Sequence, residues 1–443
     1  MSKSWAIGGV DLHLDVDSAR VRGSLERALR DALRAGRLPP GTRLPSSRSL
    51  ARDLGLARNT VAAAYGQLVA EGWLEGRQGA GTRVALHPAT GPPAPSAPPP
   101  PRAPRFDLRP GVPDLTAFPR DAWLAAARRA LREAPFDALG YGDPRGRIEL
   151  RRALAEYLAR ARGVAASPER VVVCTGLVQG LSLVRAALDT AWAAEEYGHA
   201  AHRRGLDAAP LPVDDEGAVV SEVGAAGAVL LTPAHQFPLG ATLSPQRRRQ
   251  AVAWARSTGG VVVEDDYDGE FRYDRRPVGA LQALAPDHVV YAGTASKSLA
   301  PGVRLGWLVV PGGLLEPVLA ARAHGDWPSA LDQLTLAELI ESGGYDRHVR
   351  RQRLVYRRRR DLLLATVQRV TGIDAGLHAV VELEEEEAAV IERARRHELL
   401  VEGLDGYRFG PAGRGPALVV GYGTPPEHAW EGALGRLRDV LAT

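Results

Sequence analysis

Lysine is nearly missing from this chain of 443 residues. Of its 56 basic side chains, 54 are arginine, and the two lysines are Lys3 and Lys297. Arginine serves wherever a charge or a phosphate contact is wanted. Only lysine offers a primary amine that can lose its proton and form a Schiff base. A lysine kept at position 297 therefore raises the question of amine chemistry. Cysteine is scarcer still. Cys174 stands alone, which excludes a disulfide framework and any multi-cysteine metal site. No run of about 18 apolar residues occurs, so no membrane span is expected. Met1 to Val10 is too short and mixed for a signal peptide, and the cytoplasm is the default compartment.

What is present is ordinary in bulk and uneven in detail. Hydrophobic residues make up 45% and charged ones 24%, enough for a sizeable core in two or three domains. Residues 1–86 carry 13 basic and 8 acidic groups, whereas residues 87–443 carry 43 and 44. The net positive charge thus sits on the first fifth of the chain, where it points to a nucleic-acid partner. Between the two parts lies a proline-rich stretch, residues 87–105. Prolines remove backbone donors, so it reads as a partly extended, semi-rigid linker. The predicted organisation is a small domain over 1–86, the linker, and a large domain over 106–443.

In the first part, Val21, Leu25, Ala28, Leu29, Ala32 and Leu33 recur at helical spacing and predict a helix over about 19–35. Ser46 or Ser47 caps a second helix through Leu54. A third runs from about Ala57 to Ala70, with Val61, Tyr65 and Leu68 on its apolar stripe. Short strands over 73–75 and 82–85 complete a winged helix-turn-helix. Arg58, Asn59 (the only asparagine) and Thr60 open the third helix, where a recognition helix meets the major groove. Arg43, Ser46 and Arg48 fall where phosphate contacts position such a module, and Arg77 lies on the wing. Leu44-Pro-Ser-Ser-Arg48, Leu50-Ala-Arg-Asp-Leu54, Arg58-Asn-Thr-Val61 and Leu68-Val-Ala-Glu-Gly72 resemble the GntR family of bacterial regulators. Ala57 departs from the serine the family often uses to cap the recognition helix, a loss of about 1 kcal/mol.

In the second part, short apolar runs alternate with helices. Val171–Cys174, Ala228–Leu231, Gly260–Glu264, Val289–Tyr291 and Gly306–Val310 read as buried strands of a mostly parallel sheet. Ligands bind such sheets at the carboxyl ends of strands. Asp265 and Tyr267, Thr294 and Lys297, and Gly176 all follow strands directly. Gly176 also opens a helix whose N-terminus suits a phosphate. An amine, a carboxylate, a phenol, hydroxyls and a helix N-terminus are what pyridoxal 5′-phosphate needs.

Longer motifs extend the likeness. Arg109-Pro-Gly-Val-Pro-Asp114, Tyr141-Gly-Asp-Pro-Arg-Gly146, Thr232-Pro-Ala-His-Gln-Phe-Pro-Leu-Gly240, Glu264-Asp-Asp-Tyr267 and Gly293-Thr-Ala-Ser-Lys297 resemble fold-type I aminotransferases that use this cofactor. The whole chain resembles the MocR subfamily of GntR regulators, which fuse such a domain to a winged helix. The resemblance implies that Lys297 is the Schiff-base lysine, Asp265 pairs with the pyridine nitrogen, and Tyr267 pairs with the ring oxygen. It also implies that Thr294 and Arg304 bind phosphate, and that Tyr141 reaches the phosphate of a neighbouring subunit in a homodimer.

Three departures stand out. Gly176, Leu177 and Val178 replace a segment that usually carries polar side chains beside the phosphate, leaving backbone N–H groups there. Aligned without a gap, His199 falls where an aromatic ring stacks on the pyridine, with Tyr197 the competing choice. The arginine that clamps an amino-acid carboxylate has no counterpart in Ala417–Tyr422; Arg408 and Arg414 are the substitutes at hand. His235 and Gln236 fall at the site edge, with a polar role near the ring oxygen and a structural one both open. His397-Glu398 begins like a zinc-protease helix, but Val401 stands where the second histidine belongs, so no metal is expected. The runs Arg357–Arg360 and Glu384–Glu387 read as solvated or mutually paired charges.

The reading that joins these features is a transcriptional regulator that binds operator DNA and senses pyridoxal phosphate or a small-amine adduct of it. Control of vitamin B6 or amine metabolism is what the resemblance implies. The alternatives are a working aminotransferase with an accessory DNA-binding head, and a regulator whose large domain only scaffolds a dimer.

Overall fold

In a computed structural model the chain forms two compact units, Met1–Arg102 and Ala103–Thr443. The structure describes residues 6–7, 10–11, 21–77, 81–85, 104–203, 205–273, 278–322, 327–411 and 413–442. Lys3, the side chain of Arg77 and the predicted linker, apart from Pro104 and Arg105, lie outside the described residues.

The first unit is three helices and a hairpin: α1 (Val21–Arg34), α2 (Ser47–Leu54), α3 (Arg58–Ala70), β1 (Leu74–Arg77) and β2 (Gly81–Val84). Leu25 and Leu29 of α1, Leu50 of α2, and Val61, Tyr65 and Leu68 of α3 share one core with Leu74 and Val84 of the hairpin. Burying a leucine of this kind stabilises by roughly 1.5–3 kcal/mol. Ser46 starts α2, its Oγ accepting from the Ser49 N–H at 3.1 Å. The Tyr65 hydroxyl donates to the Pro45 carbonyl at 3.1 Å and ties the approach to α2 onto α3. Ala57 has the extended backbone of a cap, φ −67° and ψ 135°, but no side-chain oxygen to use.

The second unit is built on a seven-stranded sheet. Its strands are β3 (Val171–Cys174), β4 (Trp192–Glu195), β5 (Ala209–Leu211), β6 (Ala228–Leu231), β7 (Val261–Asp265), β8 (Val289–Thr294) and β9 (Gly306–Val309). Their spatial order is β3-β9-β8-β7-β6-β4-β5. All neighbours are parallel except at β9, which is antiparallel to both β8 and β3. The consequence is local and decisive. β3, β4, β7 and β8 end on one edge of the sheet, and β9 begins there. That edge collects Gly176, Glu195, Asp265, Thr294 and Arg304. Five strands carry the β-branched signal read in the sequence. β4 does not: Trp192-Ala-Ala-Glu195 has no β-branched residue, and burial on both faces makes it a strand.

Helices α4 (Arg120–Glu133), α5 (Ile148–Arg162), α6 (Leu177–Ala187), α7 (Pro245–Thr258) and α8 (Ala330–Glu341) pack around this sheet. Helix α9 (Gly344–Thr366) leads to a four-stranded antiparallel sheet. The strands of that sheet are β10 (Val370–Thr371), β11 (His378–Glu382), β12 (Glu402–Gly403) and β13 (Ala417–Gly421). Helices α10 (Glu387–Arg396) and α11 (Trp430–Leu441) cover it. Among the described residues, no helix is long and apolar enough to cross a membrane.

The bare cap at Ala57 gives a stability prediction. Ala57→Ser should stabilise the first unit by about 0.5–1 kcal/mol, because the backbone already has the geometry a serine oxygen needs. Chemical unfolding of the unit, followed by helical circular dichroism, measures this as a rise in midpoint without a change in slope.

Candidate functional site

On the first unit, Arg43, Ser46, Arg48, Arg58 and Asn59 are exposed and Thr60 is half-buried. None of the three arginines forms an ion pair among the described residues. Beyond Asn59 the exposed side of α3 carries the small residues Ala62, Gly66 and Ala70 together with Gln67 and Val69. Arg43 lies against the wing near its turn: a Cβ on Gly81 would fall 3.3 Å from its Nε. Ser46 spends an oxygen lone pair on capping α2, and its hydroxyl proton stays available to an acceptor.

On the second unit, a cavity of about 320 Å³ opens at the sheet edge described above. Lys297, Asp265, Tyr267, Thr294, Arg304, Gly176, Leu177, Val178 and His199 all line it. Tyr141 does not; it is 93% exposed on its own chain. Lys297 Nζ donates to the Gly111 carbonyl at 2.6 Å. Gly111 is held there by the motif that contains it. Asp114, three residues on, is buried against Arg359 of α9 at 2.9 Å, and its N–H donates to the Tyr356 hydroxyl at 3.1 Å. Burial pulls the Lys297 pKa down, against the attraction of Asp265 and Asp268. Burial pushes Asp265 well up, with the Lys297 charge opposing it.

Asp265 and Asp266 diverge from one strand end. Asp265 faces the cavity. Asp266 faces away, bound by Arg162 at 2.6 and 3.0 Å and by the Tyr291 hydroxyl at 2.8 Å. Both members of the Arg162–Asp266 pair are buried, so each depends on the other for its charge.

At the opposite end, two glycines let an anion cradle form. A Cβ on Gly306 would fall 2.8 Å from the Gly176 Cα, so only glycine admits this approach. Arg304 sits two residues earlier in the left-handed region, φ 54°, a conformation that costs a non-glycine residue roughly 1–2 kcal/mol. Gly176 has no side chain to cap α6. The first-turn N–H groups of Leu177 and Val178 thus lack side-chain acceptors, and a phosphate oxygen is what they fit. Thr294 Oγ1 donates to Ser296 Oγ at 2.9 Å and accepts from the Ser296 N–H at 3.1 Å.

Both ring candidates line the cavity; Tyr197 is buried, and its hydroxyl accepts from the Arg414 N–H at 3.0 Å. His199 is exposed at the cavity, its Nδ1 accepting from the Ala201 N–H at 3.2 Å. His202 was missed in the sequence. It lines the cavity, with Nδ1 3.8 Å from Asp265 Oδ2, and burial holds its pKa down. Its position three residues after His199 on one helical turn was the available signal. Glu195 was also missed. Buried at the end of β4, it accepts from the Thr232 N–H at 3.1 Å and from the Gln236 amide at 3.1 Å, and burial pushes it up to about 6.

The far wall of the cavity is formed by Phe237, Leu377 and His378. Neither substitute arginine is there. Arg408 pairs with Asp405 and Arg414 with Asp215. Arg203 lines the cavity but donates to the Glu195 and Ala208 carbonyls at 2.6 and 3.0 Å. The arginine run on α9 divides: Arg357 and Arg358 are exposed, whereas Arg359 and Arg360 are buried on Asp114 and Asp374.

A model of bacterial regulatory proteins of the gntR family matches residues 22–84, and one of class I and II aminotransferases matches residues 108–402. Over 440 residues the chain is 32% identical to the HTH-type pyridoxine biosynthesis transcriptional regulator PdxR of Corynebacterium glutamicum, spanning 94% of this chain and 95% of that one. It is 34% identical over 409 residues to the probable rhizopine catabolism regulatory protein MocR of Rhizobium meliloti, spanning 83% of each. The chain belongs to the MocR subfamily of GntR regulators. It is a DNA-binding transcriptional regulator with an aminotransferase-like domain, and pyridoxal 5′-phosphate is the cofactor of that domain. Among solved structures, an archaeal alanine:glyoxylate aminotransferase superimposes with a TM-score of 0.69 at 23% identity, over 76% of this chain and 90% of that one. The α-aminoadipate aminotransferase LysN of Thermus thermophilus gives 0.68 at 24% identity, over 76% and 92%. These two likenesses show the shared fold. The cavity of this MocR-type chain fits the cofactor: it offers a buried amine, a buried carboxylate, a phenol and an anion cradle of uncapped N–H groups beside a guanidinium.

Breaking the buried pair behind Asp265 should be costly. Asp266→Ala leaves Arg162 buried without its counter-charge and should destabilise the second unit by about 3–5 kcal/mol. Urea unfolding of the two units, followed separately, should show the loss in the second unit alone.

Proposed function

We propose that this protein is a homodimeric regulator in which pyridoxal phosphate, or an adduct of it with a small amine, sets the affinity for operator DNA. The observation that carries this reading is Lys297. It is the only lysine of the second unit, and it stands in a cavity with Asp265, Tyr267, Thr294 and Arg304. When bound, the cofactor supplies an aldehyde that joins an amine and a ring that withdraws electrons from it. Lys297 is the amine that holds it. Asp265 faces the pyridine nitrogen, where a positive charge would restore its carboxylate form. Tyr267 donates to the ring oxygen, and His199 stacks on the ring. Arg304, Thr294 and the N–H groups at Leu177 and Val178, beside Gly176, hold the phosphate.

A second copy of the chain completes the arrangement. Tyr141 is 93% exposed, Phe136 is 96%, and Leu131 and Leu139 are 57% and 58%. A strip of large apolar side chains this open marks an interaction surface. A second copy laid on it would bring Tyr141 to the partner's phosphate. On the first unit, Arg58, Asn59 and Thr60 read bases, while Arg43, Ser46, Arg48 and Arg77 hold phosphates. The names of the relatives support vitamin B6 or amine metabolism as the regulated chemistry. The working compartment is the cytoplasm.

The far wall of the cavity favours a regulator over an enzyme. An amino-acid substrate needs its carboxylate clamped for turnover. The wall offers Phe237, Leu377 and His378, and burial keeps His378 neutral. The effector is therefore the cofactor itself or an amine without a carboxylate. The complete cofactor set keeps a second reading open, an aminotransferase with a DNA-binding head; steady-state turnover with amino-acid donors would establish it.

Borohydride reduction of the loaded protein, then peptide mapping, should place the pyridoxyl group on Lys297; a label on Lys3, or none, would overturn the cofactor assignment. Lys297→Ala should lose the visible band and stay folded. Arg58→Ala should cost roughly 1–3 kcal/mol at one base pair of the operator, and Arg48→Ala should weaken all sites alike and lower the salt slope by about one. Operator affinity across a pyridoxal phosphate titration should change roughly 5- to 150-fold in the wild type and not in Lys297→Ala. Identical affinity at every concentration would leave a cofactor-binding protein that the cofactor does not control.

A further inference from the structure

Tyr267 does not stand at the cavity wall unaided. Its phenol oxygen lies 3.0 Å from His235 Nδ1, and the same nitrogen lies 2.8 Å from Asp268 Oδ2. His235 and Asp268 are buried, and neither lines the cavity. We propose that Asp268 and His235 are positioning residues for Tyr267, fixing its hydroxyl so that its proton points into the cavity at the ring oxygen of the cofactor. This rests on the reading of the cavity as a pyridoxal phosphate site.

The argument is one of proton count. A ring nitrogen carries at most one proton, and a carboxylate accepts. At 2.8 Å from Asp268, Nδ1 is the donor. Its proton is then shared with the phenol oxygen 3.0 Å away. The phenol hydrogen cannot point back at a nitrogen that is already donating. That leaves it two acceptors: the Asp268 carboxylate, which already takes the Nδ1 proton, and a ring oxygen held in the cavity, with Lys297 and Asp265 across it.

The surroundings hold this arrangement in place. The His235 ring lies nearly parallel to Tyr267, centroids 6.0 Å apart at 25°. Phe237 meets Tyr267 edge-on at 5.9 Å, and His378 packs on His235 at 5.0 Å. Gly376 is shaped to admit the pair: a Cβ there would fall 2.2 Å from His235 Cε1 and 2.6 Å from Asp268 Oδ2. The charged and titratable groups that face the phenol are His235, Asp268, Asp265 and Tyr422. Burial and the two carboxylates push its pKa up, so the phenol keeps the proton it has to donate.

The test follows the visible band of the full-length protein loaded with pyridoxal phosphate as pH is varied. The band titrates because a proton is gained between the lysine nitrogen and the ring oxygen. A donor on that oxygen favours the form without the proton, so losing the donor moves the midpoint to higher pH. Tyr267→Phe should raise the midpoint by about one to two pH units. His235→Leu should raise it in the same direction; Asp268→Asn, which also removes a carboxylate that raises the lysine pKa, should raise it by less; and His235→Asn, which keeps an N–H near the Nδ1 position, should stay close to wild type. In the double variant Tyr267→Phe/His235→Leu the midpoint should equal that of Tyr267→Phe alone, because the two residues act through one hydroxyl. A wild-type midpoint in His235→Leu, or shifts that add in the double variant, would overturn the positioning role. If His235→Leu does not fold, Asp268→Asn and His235→Asn carry the comparison. A wild-type chain with no visible band at all would overturn the reading of the cavity and this role with it, a distinct result.

Discussion

A primary amine buried among carboxylates is the constraint around which the second unit is arranged. Water would hold Lys297 charged; the cavity removes that water and lowers its pKa. What remains to steady the amine is one carbonyl, that of Gly111. The segment that carries it is held on both sides: Asp114 is locked to Arg359 and Tyr356 on α9, and the Thr424 hydroxyl contacts the Arg109 and Val112 carbonyls. The strip of chain that closes the cavity is thus anchored by a buried ion pair some 245 residues apart in sequence.

The carboxylates around it are sorted by orientation. Glu264 points into the sheet core, where the N–H groups of Leu281 and Gln282 bind it at 2.7 and 2.8 Å. Asp265 points to the cavity with no guanidinium on it. Asp266 points away and takes Arg162. Three consecutive acids therefore do three different things. Among the described residues, only the middle one has neither a guanidinium nor a hydrogen-bond donor on it, which suits it to pair with a protonated ring nitrogen. His202 beside it is held neutral and does not compete for that role.

The far wall of the cavity, Phe237, Leu377 and His378, carries no guanidinium. Strand β13 buries Leu418, Val419 and Val420 in the smaller sheet, and none of the three lines the cavity.

Much of this was legible before any coordinates. Helical spacing and the Ser46 cap gave α1 to α3 to within a few residues, because capping and amphipathic burial are local. The β-branched runs marked five of the seven large-sheet strands, and Lys297 stood out because arginine cannot replace an amine. Other features were decided only by tertiary structure. β4 has no strand propensity and exists because the sheet buries it on both faces. His202 and Glu195 reach the cavity because β4 ends at the same edge as β7 and β8. The Arg357–Arg360 run reads as one charge patch in sequence, yet the turn of α9 exposes two arginines and buries two. The sequence by itself determined which chemical groups this protein has. The order of strands in the sheet, with β9 reversed, decided which of those groups meet, because contacts between residues over a hundred positions apart leave no periodic mark on the chain.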